Sequence, residues 1–114
     1  MKYMLQVRFN GASIAIDRLP AAERQKVFAE FEAIREAPGV LDGNQLQPVG
    51  SAATVRVHDG ETQVAPGGAV DPGAALDGYY LYDAPSLEAA VALAARIPVA
   101  RLGGTVEVRP VIER

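Results

Sequence analysis

From Tyr3 to Phe9 every second residue is apolar, with Tyr3, Leu5, Val7 and Phe9 on one side and Met4, Gln6 and Arg8 on the other. A period of two is the mark of a strand with one buried face. This pattern constrains the fold most, because it returns along the chain. Thr54-Val55-Arg56-Val57-His58 alternates in the same way. So does Thr105 to Ile112, with Val106, Val108 and Ile112 against Thr105, Glu107 and Arg109. Tyr79 to Ala84 reads as a further strand, and Val40 to Pro48 as a short one with Gly43 inside it. Asp59-Gly60 is a hairpin signal, so Glu61 to Val64 is expected to return as a short strand.

Two stretches carry helical spacing instead. Pro20 is tolerated at a first helical position. Val27, Phe28, Phe31 and Ile34 then recur on one face, and Ala37-Pro38-Gly39 stops the helix, which spans about residues 20–37. Ser86 is an N-cap with Glu88 in the first turn. Leu87, Ala90, Val91 and Ala94 form the expected apolar stripe, closed by Pro98. Asn10-Gly11-Ala12-Ser13 reads as a turn. Residues 65–78 hold four Gly and two Pro and read as a long loop, of a length that is usually functional or disordered.

The order β-α-β-hairpin-β-α-β predicts one α+β domain over residues 1–114. Two split βαβ halves with an inserted β-hairpin make a ferredoxin-like βαββαβ unit. Its sheet would be antiparallel, with two helices on one face.

Composition narrows the chemistry. The net charge is -3 and the basic residues are scattered, so nothing points to nucleic acid. There is no Cys, which removes disulfides, thiolate nucleophiles and Cys-ligated metals. His58 is the sole His, too few for a His-rich metal centre. No metal and no cofactor are expected. The N-terminal residues lack the apolar stretch of a signal peptide. No run approaches the ~20 apolar residues of a membrane span. The expected location is the cytoplasm, with no membrane partner.

Two helices cover one face of a sheet. The other face would carry Gln6, Arg8, Arg56, Glu107 and Arg109 with Met4 and part of the tyrosine-rich strand. Two explanations stand open: a dimer whose sheets face each other around a polar cavity, or a half-solvated sheet with surface ion pairs.

Met1-Lys2-Tyr3-Met4-Leu5, Leu46-Gln47-Pro48, Thr54-Val55-Arg56-Val57, Asp59-Gly60, Gly78-Tyr79-Tyr80-Leu81, Asp83-Ala84, Ala94-Ala95-Arg96-Ile97-Pro98 and Val106-Glu107-Val108-Arg109-Pro110 occur in that order. Together they resemble the YCII-related proteins of the DGPF type, over nearly the whole chain. The resemblance implies a homodimeric α/β barrel built from ferredoxin-like units, in a bacterial setting. It implies a small enzyme, by analogy with muconolactone-isomerase-like folds, or a regulatory association with extracytoplasmic-function sigma factors. The sequence departs from the family at the Asp-Gly-Pro-Phe run. Here the stretch is Pro66-Gly67-Gly68-Ala69, then Val70-Asp71-Pro72-Gly73-Ala74. Only Gly67 matches directly, and Asp71 stands where the family carries a Glu.

The candidate residues follow. Asp71 and His58 are the catalytic candidates, one a loop carboxylate and the other a strand-end imidazole. Each has a plainer role, as turn chemistry and as a surface His. Asp59 is expected to point away from His58, since strand neighbours face opposite sides. Arg8 and Arg56 could hold a small anionic ligand bidentately if their strands are adjacent, or pair with Glu107. Tyr79, Tyr80 and Tyr82 read as core or interface residues, with Tyr80 kept as a ligand-binding candidate. Gly67-Gly68 lacks the Lys-Ser/Thr ending of a phosphate loop. Two functions compete: a dimeric ligand-binding or regulatory accessory protein, and a cofactor-independent isomerase or lactone-acting enzyme using Arg8, Arg56 and Asp71.

Overall fold

β1 (Lys2–Arg8) lies inside a four-stranded sheet because its alternate residues Tyr3, Leu5 and Val7 are buried on one side. The computed structural model describes residues 1–114, Pro72 by its backbone alone. β5 (Gly78–Asp83) pairs with one edge of β1 and β6 (Thr105–Pro110) with the other, while β2 (Val40–Gln45) joins the outer edge of β5. The strand order is β2-β5-β1-β6, and every pair is antiparallel. The register sets Leu5 opposite both Tyr80 and Val108. Ile34 of α2 (Ala21–Arg35) and Ala90, Leu93 and Ala94 of α3 (Leu87–Arg96) pack into the core on that face, with Ile97 and Val99 beside them.

Local rules place the helix ends. The Ser86 hydroxyl accepts a hydrogen bond from the Ala89 N–H at 3.1 Å, the expected N-cap. The buried stripe of α3 differs from the expected one. Ala90, Leu93, Ala94 and Ile97 are buried, whereas Leu87 and Val91 are half exposed. Positions 90, 93, 94 and 97 follow the helical repeat as well as the expected set does, and the two small alanines let the helix approach the sheet. A short helix absent from the sequence reading, α1 (Ala12–Asp17), follows the turn at Asn10, where φ is 48°. Its Ala12 and Ile16, four apart, are both buried.

β3 (Ala53–His58) and β4 (Glu61–Pro66) form a separate two-stranded sheet. Asp59 and Gly60 have φ of 49° and 79°, the left-handed pair that a two-residue hairpin loop requires. The register opposes Val55 to Val64 and Val57 to Thr62, so one face of the hairpin is apolar. The other carries Thr54, Arg56, His58, Glu61 and Gln63. That apolar face is in solvent, with Val55, Val57 and Val64 exposed by 58%, 69% and 64%. The radius of gyration is 16.1 Å, against about 13 Å for a compact domain of this length.

The fold is therefore α+β, with two antiparallel sheets and three α-helices. Among the described residues, no helix is long and apolar enough to cross a membrane.

Candidate functional site

α1, α2 and the β2–β5 side of the sheet border an open pocket of about 760 Å³. All three phenylalanines of the chain line it: Phe9, just after β1, and Phe28 and Phe31 of α2. Phe9 and Phe31 stack with ring centroids 6.0 Å apart and planes 23° apart, within the range of offset aromatic pairs. Ile16 and Leu46 extend this wall. Helical spacing sets Phe28 on the apolar face of α2 with the buried Val27 and Ile34, but it is 54% exposed. It forms the mouth of the pocket instead.

Tyr80 and Gly43 also line the pocket. A Cβ at Gly43 would collide with the Tyr80 ring, so glycine there lets the ring lie against β2. The Tyr80 hydroxyl donates to the Phe31 carbonyl at 3.2 Å. Burial first, and then the Glu32 charge, push its pKa from 10.0 up to about 12, while Arg35 pulls the other way. The linkage sign is set by ionisation of the unfolded chain. Below pH 10 both states are neutral at this group. Between about 10 and 12 the unfolded chain loses its proton first, so stability falls as pH rises. In urea unfolding at pH 9 and pH 11, Tyr80→Phe is expected to lose less stability across that interval than the parent. Equal losses would contradict the assigned burial.

The polar residues lining it include Ser13, Asp17, Glu32, Arg35, Gln45 and Asp77, with Asn44 at the β2 edge. Asp77 is structural in part. Its carboxylate accepts from the Phe9 N–H at 2.7 Å. Its backbone N–H donates to Val7 O at 2.9 Å, and its carbonyl accepts from Leu46 N–H at 2.8 Å. One residue thus ties β1, the segment after β2, and the start of β5. Among the described residues, Asp17, Glu32 and Arg35 form no ion pair.

The opposite face of the sheet bears Met4, Gln6 and Arg8, set by register against Leu81 and Tyr79 on β5 and against Arg109, Glu107 and Thr105 on β6. Arg8 Nε donates to Ala74 O at 3.2 Å, and its Nη1 lies 3.5 Å from Glu107 Oε2. The Tyr79 hydroxyl donates to Asp42 Oδ2 at 3.2 Å and accepts from Asn44 Nδ2 at 3.0 Å. Gln6 Oε1 is buried without a hydrogen-bond donor.

The sequence candidates are dispersed. Arg8 is on the open sheet face, as expected, and Glu107 is its partner. Arg56 is not beside it. β3 pairs only with β4, so Arg56 lies on the hairpin opposite Gln63, and the two guanidinium groups share no sheet within one chain. Tyr80 points to the helix face rather than the open face and lines the pocket. His58 Nε2 is 3.3 Å from Asp59 Oδ2, with both side chains more than three-quarters exposed. The positive φ of Asp59 ends the strand and brings the carboxylate to the imidazole, against the expectation of opposite faces. Asp71 is exposed, and its carbonyl accepts from Ala74 N–H at 2.9 Å. Neither His58 nor Asp71 lines the pocket. Among the described residues, no three His, Asp or Glu side chains are grouped to hold a metal. Of the residues lining the pocket, sequence reasoning singles out Tyr80 alone as a ligand candidate and does not identify Phe9, Ile16, Asp17, Phe28, Phe31 or Glu32 as site residues. The available signal was the spacing of the only three Phe in the chain.

An antiparallel α+β unit with an aromatic pocket fixes no one chemistry. The YCII-related domain matches residues 1–114, the full chain, and the chain belongs to that family. A comparison with curated proteins finds no match.

Proposed function

We propose that this YCII-related chain is a cytoplasmic, homodimeric small-molecule-binding protein that holds its ligand between α1, α2 and the β2–β5 edge. The pocket carries this reading. Its volume of about 760 Å³ falls within the range of ligand sites, about 300–1,000 Å³, and its apolar wall with a few polar groups is their usual make-up. The order β2-β5-β1-β6 supports a ferredoxin-like unit with β3 and β4 inserted. Two features support a homodimer of the α/β-barrel kind. One is the open sheet face, where Met4, Gln6 and Arg8 lie opposite the side packed by α2 and α3. The other is the hairpin, whose valines have nothing to pack on, although a lone two-stranded hairpin is marginal in water.

An enzymatic reading draws on the hydrogen bond from the Tyr79 hydroxyl to Asp42, which could move a proton at the open face. It expects turnover on a lactone or enol panel that Tyr79→Phe reduces by ~10²-fold or more.

Fluorescence of the neutral apolar dye Nile red tests the binding function. The protein should raise and blue-shift its emission with one dye per chain. Phe28→Ala should weaken the dye by about 10-fold through lost apolar contact, and Ser13→Trp should block it by filling the pocket. Emission indifferent to both changes would place the dye elsewhere and remove the pocket as the site.

A further inference from the structure

We infer that the pocket selects an apolar organic cation, an amine or quaternary ammonium carried on an aromatic or branched aliphatic body. The inference rests on the binding role proposed above and specifies its ligand class. Three observations combine. The wall is aromatic, with Phe9, Phe28 and Phe31 converging and Tyr80 beside them. Aromatic faces attract cations through the negative charge of the ring face. The ionisable lining is acidic, with Asp17, Glu32 and Asp77 against Arg35 alone. Asp77 is engaged by the Phe9 N–H at 2.7 Å, but among the described residues neither Asp17 nor Glu32 is ion-paired.

The two free carboxylates come from different elements, α1 and α2, are exposed to solvent, and line the same pocket as the stacked Phe9 and Phe31 rings. A ligand with a positive head and an apolar body would bury the body against the rings and set its head near a carboxylate. An anion of the same shape would meet a net negative lining, three carboxylates against the single guanidinium of Arg35. The Arg8–Arg56 pairing expected for an anionic ligand is not formed within the chain, so the cation preference comes from the pocket itself.

Displacement of Nile red by three probes, with calorimetry in parallel, decides the class. The probes are benzyltrimethylammonium, its uncharged isostere 2,2-dimethylpropylbenzene, and benzenesulfonate. The cation is expected to bind at least ~5-fold more tightly than either other probe, the gain of about 1 kcal/mol given by one partly exposed cation–aromatic or ion-pair contact. Glu32→Gln and Asp17→Asn should each weaken the cation by about 3–5-fold while leaving the uncharged probe unchanged. Added salt should weaken the cation alone. If Nile red binds but the sulfonate or the uncharged probe competes as well as the cation, the assigned class is wrong and the pocket still binds. If neither Nile red nor any probe binds, the binding function falls with it.

Discussion

Leu5→Ala is expected to lower the unfolding free energy by about 2–5 kcal/mol, the range for removing a buried leucine. Leu5 has no exposed surface. It sits on an inner strand between Tyr80 on β5 and Val108 on β6. α2 and α3 close over it through Ile34, Ala90 and Leu93. Close-packed elements on every side cannot collapse into the space left, so transfer and cavity costs add. Whole-domain stability is about 5–15 kcal/mol, so the change removes a large share of it. Ile14→Ala on α1 is the matched control. That side chain is 58% exposed and forms no part of the proposed dimer interface, and its loss should change stability by less than about 0.5 kcal/mol. Urea unfolding of both variants measures the contrast. Equal losses would mean that the core is centred elsewhere.

The second large effect concerns assembly. Light scattering of the parent protein at micromolar concentration should give twice the 12.0 kDa chain mass. Val55→Lys with Val57→Lys should raise the dissociation constant at least ~30-fold, the equivalent of about 2 kcal/mol at an interface hot spot. Both side chains are already exposed in the single chain. The fold of the variant, read by circular dichroism, should therefore be unchanged while its mass falls toward that of one chain. A parent protein that is monomeric, or a variant that stays dimeric, would contradict the assembly role of the hairpin.

Much of this architecture was legible in the sequence, for local reasons. The alternation of Tyr3, Leu5 and Val7 fixes a face, and a one-residue slip would expose all three. Asp59-Gly60 dictates its own turn through two positive φ angles, and Ser86 caps α3 through its own hydroxyl. What failed depended on partners distant in sequence. Alternation and the Asp59-Gly60 turn pair β3 with β4 but cannot say whether β3 also joins the main sheet, so a shared face for Arg8 and Arg56 depends on adjacent strands, and Arg56 lies instead on the separate hairpin. α1 has six residues, of which only Ala12 and Ile16 are buried, too short a pattern to stand out after a turn signal. Phe28 has the spacing of a core residue, and only the position of α1 and β2 makes it a pocket wall. The pocket is built by four separate segments, so no local pattern announces it.

The central claim is that this pocket, and not the open sheet face, receives the ligand. The most direct measurement is a series of ¹H–¹⁵N spectra during titration with p-cresol, a soluble neutral aromatic. Amides of Ser13 to Asp17, Phe28 to Glu32 and Gly43 to Leu46 should shift together and saturate. Those of Arg56 to Gln63 should stay in place. Saturable shifts centred on Gln6, Arg8 and Glu107, with the pocket amides unmoved, would contradict the claim.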